Sequence, residues 1–355
     1  MLSAILRAYG INNPDKIESL TSGLINKTWK VTEGKAEYIV QQINHQVFKK
    51  PFEVAHNIRM VDDYLKKNAP NYLFVSPVSS TAGDDILHFE GEGYFRVFPF
   101  IQHTHTIDVV TSPDQAFEAS FQFGTFTKNL SGFDASQLHV TIPDFHNLSL
   151  RYTQFQDALR TGNVERIKQS KSLINSIQSN TNILDEFEKI RSHAEVKLRV
   201  THHDTKISNV LFNDAGKGIC VIDLDTIMPG YFISDVGDMF RTYLSPANEE
   251  ERDFSNIEVR DEFFKAIVHG YISAIGHELT TEEQSLLFYA GLFLTYMQAI
   301  RFLADYCNND IYYGARYEEQ NFIRAGNQLT LLEKLLERSA DLKKIISEEL
   351  KTRGH

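Results

Sequence analysis

Cysteine is nearly absent from this 355-residue chain. Cys220 and Cys307 form no Cys-x-x-Cys pair and no framework of the kind that staples small secreted domains, so both are expected as reduced core residues. Apolar runs are short too, and nothing reads as the ~20 apolar residues of a membrane span. Positive charge is in deficit: 36 Lys+Arg face 47 Asp+Glu, for a net −11, which argues against a nucleic-acid backbone as a partner. The start, MLSAILRAYG, has one Arg and no small-residue cleavage site, so secretion is not expected. Internal repeats and low-complexity linkers are missing as well. What remains, 42% hydrophobic and 23% charged, is an ordinary globular composition. The expectation is an acidic cytoplasmic protein, an enzyme, that buries its core without disulfides or metals. At about 150 residues per domain, two domains or two lobes are expected.

The texture of the chain changes near residue 100. Before it, short β-like runs dominate, at 28–32, 38–43, 86–89 and 94–98, separated by turn residues such as Glu33-Gly34 and Gly91-Glu92-Gly93. One helical pattern interrupts them at 52–67, where Val54, Ile58, Val61 and Leu65 share a face. After residue 112 the helical period takes over. Ser112-Pro113 opens a helix whose face is Ala119, Phe123, Phe126 and Leu130, and Ile183, Phe187, Ile190 and Ala194 repeat the spacing. Further helices are expected at 259–276, 281–307 and 318–351, the last a charged amphipathic tail with Leu332, Leu335, Leu342 and Ile346 inward. Between them lies a β island: Val200, then 209–212 and 219–222, joined by an Asn213-Asp214-Ala215-Gly216 hairpin. The fold class expected is α+β, with a small β-rich lobe at 1–99 and a larger helical lobe at 100–355.

The island carries the chemistry. It reads Val200-Thr201-His202-His203-Asp204-Thr205-Lys206-Ile207-Ser208-Asn209, a hairpin, then Val221-Ile222-Asp223-Leu224-Asp225. Asp204, Lys206 and Asn209 stand on one loop, and Asp223 ends an apolar strand 19 residues after Asp204. Phosphoryl transfer from a nucleotide needs such a set. A carboxylate orients the acceptor hydroxyl, an amide and a carboxylate hold magnesium, and a cation meets the migrating group. A polar turn with local backbone hydrogen bonds is the bland alternative, and the apolar strand ending in Asp behind a hairpin outweighs it.

At these residues the sequence resembles the protein-kinase-like fold in its small-molecule branch, the aminoglycoside phosphotransferase and choline kinase superfamily. It is similar within that branch to bacterial N-acetylhexosamine 1-kinases. The likeness runs through Tyr38-Ile39-Val40-Gln41-Gln42-Ile43-Asn44, the loop at 200–209, Ile222–Gly230, Arg301–Tyr306 and Asp310-Ile311-Tyr312. The resemblance implies ATP and Mg²⁺, with Asp204 as the catalytic aspartate, Lys206 at the terminal phosphate, and Asn209 and Asp223 as metal ligands. Asp225 stands either as a second-metal ligand or as an orienting residue behind the first. No Ala-Pro-Glu-closed activation loop follows Asp223, so a small acceptor is favoured over a peptide. An amino sugar phosphorylated at its anomeric hydroxyl is the first choice. A same-fold kinase for an aminoglycoside, choline or ethanolamine, homoserine or methylthioribose is the rival. A non-catalytic pseudokinase module is disfavoured by the presence of Asp204, Asn209 and Asp223.

The segment Ser22-Gly23-Leu24-Ile25-Asn26-Lys27-Thr28-Trp29 is similar to the loop that covers nucleotide phosphates, with Gly23, Asn26 and Thr28 as its candidate contacts. The strand that usually supplies a phosphate-pairing lysine reads Gln41-Gln42, with Gln41 assigned to the nucleotide side. Lys206, Lys27 or the metal would then carry the extra phosphate charge, and Glu53 is left solvated. Arg96-Val97-Phe98-Pro99-Phe100-Ile101 reads as the hinge, with Phe98, Phe100 and Ile101 beside the adenine. His103 and His105 are expected to be solvated. Arg301 either bridges to Asp305, one turn along its helix, or holds acceptor hydroxyls. Asp235 and Asp238 read as cap and loop-bracing residues.

Overall fold

The structure is a computed structural model describing residues 2–20 and 25–353. The Gly23 assignment lies outside the described residues. The α+β class and the change of texture near residue 100 are both realised. A short helix, α1 (Leu2–Ala8), precedes β1 (Lys16–Leu20), β2 (Lys27–Glu33) and β3 (Ala36–Ile43). Helix α2 (Pro51–Asn68) follows, then β4 (Leu87–Phe89) and β5 (Gly93–Pro99). The five strands form one antiparallel sheet in the order β1-β2-β3-β5-β4. Alternation puts Val31, Val40, Phe95 and Val97 on one face, where Ile5, Leu6 and Tyr9 close a small core. Pro51 starts α2, and Val54, Ile58, Val61 and Leu65 turn its apolar face toward the main core. The α2 side chain of Asn57 donates to the His139 and Ile227 carbonyls, which fixes the helix to the C-terminal part.

Past the sheet come β6 (Thr104–His105) and α3 (Pro113–Asn129), then α4 (Leu148–Thr161), α5 (Val164–Gln169), α6 (Lys171–Ser179) and α7 (Asn182–Ser192). Ser112 caps α3, accepting from the Gln115 N–H at 3.3 Å. Ala194 was expected on the α7 face; the helix ends at Ser192, and Ala194 is exposed beyond it. Four strands form the island: β7 (Arg199–Thr201), β8 (Val210–Asn213), β9 (Gly218–Val221) and β10 (Met228–Gly230). β8 and β9 are the expected hairpin, turned by Gly216 at positive φ, while β10 pairs back on β7. The chain ends in α8 (Ile233–Tyr243), α9 (Asp261–Ile275), α10 (Thr281–Ser285), α11 (Leu287–Cys307), α12 (Gln320–Glu337) and α13 (Ser339–Arg353). The expected helix at 281–307 is thus split at Leu286, and the one at 318–351 at Arg338.

Helix α11 corrects the reading of short apolar runs. By length and composition it could cross a membrane, but most of it is buried within the protein. Polar Thr295, Gln298 and Arg301 punctuate it in sequence, and α4, α8 and α12 pack around it. Its inventory of buried Leu, Phe, Tyr and Ile side chains, each worth about 1.5–3 kcal/mol on burial, makes it the axis of the main core. Helices α3 and α9 meet closely where Gly270 faces Phe117 and Ser120; a Cβ there would collide with both. The same packing holds Phe123 and Phe126 of α3 under the island.

Candidate active site

The loop between β7 and β8 is held from below by the first turns of α8. Asp235 accepts the backbone N–H of His202 at 3.0 Å and of His203 at 2.7 Å, and Asp238 accepts that of Thr205 at 2.8 Å. The Thr205 hydroxyl donates to the Asp235 carbonyl at 2.8 Å, and the Tyr243 hydroxyl donates to the Thr205 carbonyl. The expected bracing role of Asp235 and Asp238 is what the structure displays. Burial pushes the Asp235 carboxyl up to about 7, against the two N–H donors that favour its charge. With its neighbours tied down, Asp204 stands half-buried above the loop, and Lys206 Nζ lies 3.3 Å from its Oδ1. The Asp204 charge raises the Lys206 pKa.

Asn209 donates its side-chain N–H to the Asp204 carbonyl at 2.9 Å. No donor among the described residues reaches its Oδ1. The Asn209 carbonyl accepts from the Ile222 N–H at 2.8 Å, which brings Asp223 alongside. Asp223 adopts a left-handed conformation, φ 59° and ψ 63°. That geometry costs a non-glycine residue about 1–3 kcal/mol and is typical of functional sites. The residue keeps solvent exposure, while desolvation by the surrounding protein, then the Asp225 and Asp204 charges, raise its carboxyl pKa. Asn209 Oδ1 and Asp223 are hard oxygen donors of the kind Mg²⁺ takes together with phosphate and water. Among the described residues no group of three or more His, Cys, Asp or Glu forms a metal site by itself. His103 and His105 are exposed. Asp225 differs from Asp223: it is buried, its Oδ1 faces the Arg96 guanidinium, and its Oδ2 accepts from Asn26 at 2.9 Å.

Arg301 donates to Gln298 Oε1 at 2.6 Å, and its guanidinium lies 5.4–5.9 Å from the Phe145, Tyr312 and Tyr313 rings. The alternative of an Arg301–Asp305 bridge is overturned. Asp305 instead accepts the N–H groups of Tyr312 at 2.8 Å and Tyr313 at 2.9 Å, and the side chain of Asn321 at 3.2 Å. It closes the turn after α11 and has no carboxylate oxygen to spare. Phe145 stacks on His146 at 4.4 Å, and His146 Nδ1 meets His203 Nδ1 at 3.3 Å. Arg301, Phe145, His146 and His203 therefore form a continuous run ending at Asp204. Burial, then the neighbouring His203 and Arg301, holds His146 well below its usual pKa, so the ring is neutral.

Comparison with known proteins decides the family. The model of the phosphotransferase enzyme family matches residues 16–278. The chain belongs to that family. Solved structures share the phosphotransferase's fold at low identity. An aminoglycoside phosphotransferase from Alicyclobacillus acidocaldarius superposes with a TM-score of 0.67 at 11% identity, covering 98% of this chain and 96% of that one. A microcompartment-associated aminopropanol kinase gives 0.66 at 15% identity, covering 96% and 97%. Choline kinase from Cryptosporidium parvum gives 0.54 at 12% identity, covering 98% and 99%.

Several of the phosphotransferase's expected nucleotide contacts sit differently from their sequence reading. Asn26 is occupied at both ends, on Asp225 and, through Oδ1, on the Asn44 N–H at 2.9 Å. Thr28 lies in β2 opposite Gln41. Gln41 accepts two N–H bonds from Arg96, at 3.0 and 2.8 Å. The Phe100 N–H donates to the Glu37 carbonyl at 2.9 Å, and its ring lies under Lys30 at 3.7 Å, so its backbone donor is committed to the sheet edge. Glu53, expected to be solvated, pairs with Lys50 at 3.0 Å. Phe98 and Ile101 join Val75, Ile39, Leu211, Cys220 and Ile222 in an apolar patch between the sheet and the β8–β9 hairpin. Ile39, Leu211 and Ile222 escaped sequence reading because alternating apolar residues look alike in any half-buried strand. His202 also escaped it: its ring packs edge-on against Phe123, and its Nε2–H donates to the Ile222 carbonyl at 2.9 Å. Burial lowers its pKa and keeps it neutral, and its hydrogen bond joins the 202–209 loop to the segment bearing Asp223.

Proposed function

We propose that this phosphotransferase moves the γ-phosphoryl group of ATP to a hydroxyl of a small molecule, with the anomeric hydroxyl of N-acetylglucosamine or N-acetylgalactosamine as the favoured acceptor. Asp204 receives the hydroxyl hydrogen and orients the attacking oxygen. Lys206, against Asp204, offers its ammonium to the migrating group. Asn209 and Asp223 would hold Mg²⁺, which would supply positive charge to offset that of the phosphates. Residues 1–99 cover the nucleotide, with Phe98 and Ile101 against the base, and residues 100–355 carry the loop, the metal pair and the acceptor pocket.

The observation supporting an uncharged acceptor is Arg301. Choline calls for an aromatic cage, and aminoglycosides for an acidic rim. Here the aromatic cluster of Phe145, Tyr312 and Tyr313 already holds the protein's own guanidinium, and no carboxylate pairs with Arg301 among the described residues. A cation arriving there meets like charge. Sugar hydroxyl and acetamido oxygens meet donors.

A thermal-shift panel of N-acetylhexosamines, amino alcohols, choline and aminoglycosides, with Mg²⁺ and a non-hydrolysable ATP analogue, tests the acceptor class. Stabilisation by N-acetylhexosamines is expected. Stabilisation by choline or an aminoglycoside alone would reject the amino-sugar acceptor while leaving the kinase assignment standing. Phosphorus–carbon coupling in the NMR spectrum of the product then distinguishes C1 from C6.

A further inference from the structure

The third strand of this sheet presents Gln41 where protein kinases carry a lysine, held by a helix glutamate, that contacts the nucleotide phosphates. Neither half of that ion pair is in its place, since Glu53 on α2 is engaged by Lys50 at 3.0 Å. A cation nevertheless stands at the same level of the sheet, one strand over. Arg96 on β5 is the direct cross-strand partner of Gln41, so their side chains leave the same face. Its Nε and Nη2 both donate to Gln41 Oε1, and its Nη1 meets Asp225. The Phe98 ring flanks the guanidinium at 4.9 Å.

We propose that Arg96 supplies the phosphate-facing positive charge that the third strand lacks, and that Asp225 is its buried counter-ion and not a metal ligand. Asp225 Oδ2 accepts from Asn26, and its Oδ1 accepts no hydrogen bond among the described residues but lies against the Arg96 guanidinium, which balances its charge. Arg96 is 2% exposed and Asp225 1% exposed, so the pair sits where water screens it least. The pair also spans the two regions that form the cleft. Arg96 comes from the sheet, and Asp225 follows Asp223 on the turn after β9. Lys27 and Lys206 are placed elsewhere: Lys27 is exposed, and Lys206 lies on Asp204. Lys30 is held by Glu37 at 2.7 Å.

The inference rests on the nucleotide reading proposed above, and calorimetric binding of ADP, with EDTA or with Mg²⁺, separates the two. Wild-type protein that fails to bind ADP would overturn the nucleotide reading itself. With wild-type binding in place, Arg96→Gln is expected to weaken ADP affinity about tenfold or more in both conditions, the usual cost of a charge-assisted contact. Moving the charge is the decisive step. The double variant Arg96→Gln/Gln41→Lys, with its cation on the third strand, is expected to recover ADP affinity to within about threefold of wild type. Unchanged affinity in Arg96→Gln, or no recovery in a folded double variant, overturns the charge role. If Arg96→Gln does not fold, the double variant alone carries the test by the same criterion. Manganese bound per chain in the presence of ADP, counted by electron paramagnetic resonance, tests Asp225. Asp225→Asn is expected to keep the wild-type count, and loss of an ion there overturns the counter-ion assignment.

Discussion

Asn209 donates its side-chain N–H to the carbonyl oxygen of Asp204 at 2.9 Å. The bond leaves Oδ1 of Asn209 free of the Asp204 carbonyl, so the proposed metal donor and the proposed acceptor-orienting carboxylate are registered to one another by a single contact. Asp235 and Asp238 hold the rest of the loop from beneath. Positioning of the loop thus comes from buried carboxylates on backbone N–H groups.

Replacing Asp204 by Asn removes the proton acceptor and keeps the shape. Turnover is expected to fall by roughly two to four decades, the range of general-base contributions, while the Kd for ADP stays within about threefold because no nucleotide contact is lost. Steady-state kinetics and calorimetry on one preparation measure both. Wild-type-like kcat in this variant would exclude Asp204 from the reaction.

Arg301→Lys keeps the charge and loses the planar fork. The KM for the acceptor is expected to rise about tenfold or more, with Arg301→Ala worse, and the KM for ATP is expected to hold, since the apolar patch of Phe98 and Ile101 is built by other elements. The melting temperature should change little, because Arg301 makes no bridge to Asp305. An acceptor KM that does not move in either variant would remove Arg301 from the pocket.

Asp235 couples folding to pH. Its carboxyl titrates near the usual 3.8 in the unfolded chain and near 7 in the folded one. The raised value means that the stabilising contribution of the protonated form is complete below about pH 4 and is lost as pH rises toward 7. The slope reaches at most about 1.4 kcal/mol per pH unit for one group. Urea unfolding of wild type and Asp235→Asn between pH 4.5 and 8 isolates it: the difference in stability between the two should change across this window and flatten above it. A pH-independent difference would show that Asp235 stays ionised in the fold.

Gly230 on β10 faces Thr201 and the His203 ring so closely that any Cβ would overlap both. Gly230→Ala is expected to displace the segment leading into Asp204. Overpacking of this kind costs about 1–3 kcal/mol, and activity should fall further than the loss of folded protein accounts for. Circular dichroism melts beside specific activity make the comparison.

Much of this protein is determined by local chemistry. Alternation in β2, β3 and β5, the Ser112 cap, the heptad-like face of α2 and the Asn213–Gly216 turn need only neighbours a few residues away, and all are legible in the chain. So is the loop from Asp204 to Asn209, because hydrogen bonding inside one turn depends on spacing alone. Tertiary structure decided the rest, for reasons of distance along the chain. Phe145 and His146 join the site from 58 and 57 residues before His203, through ring contacts that no periodicity encodes. Asp305 turned from its helix neighbour Arg301 to the backbone of Tyr312 and Tyr313, because a buried carboxylate goes to the N–H groups that would otherwise be left unpaired. Arg96 read as one more residue of a hinge strand. Its meeting with Gln41 depends on the register of two strands, and its meeting with Asp225 depends on how the sheet closes over the turn after Asp223, neither of which is written in the local sequence.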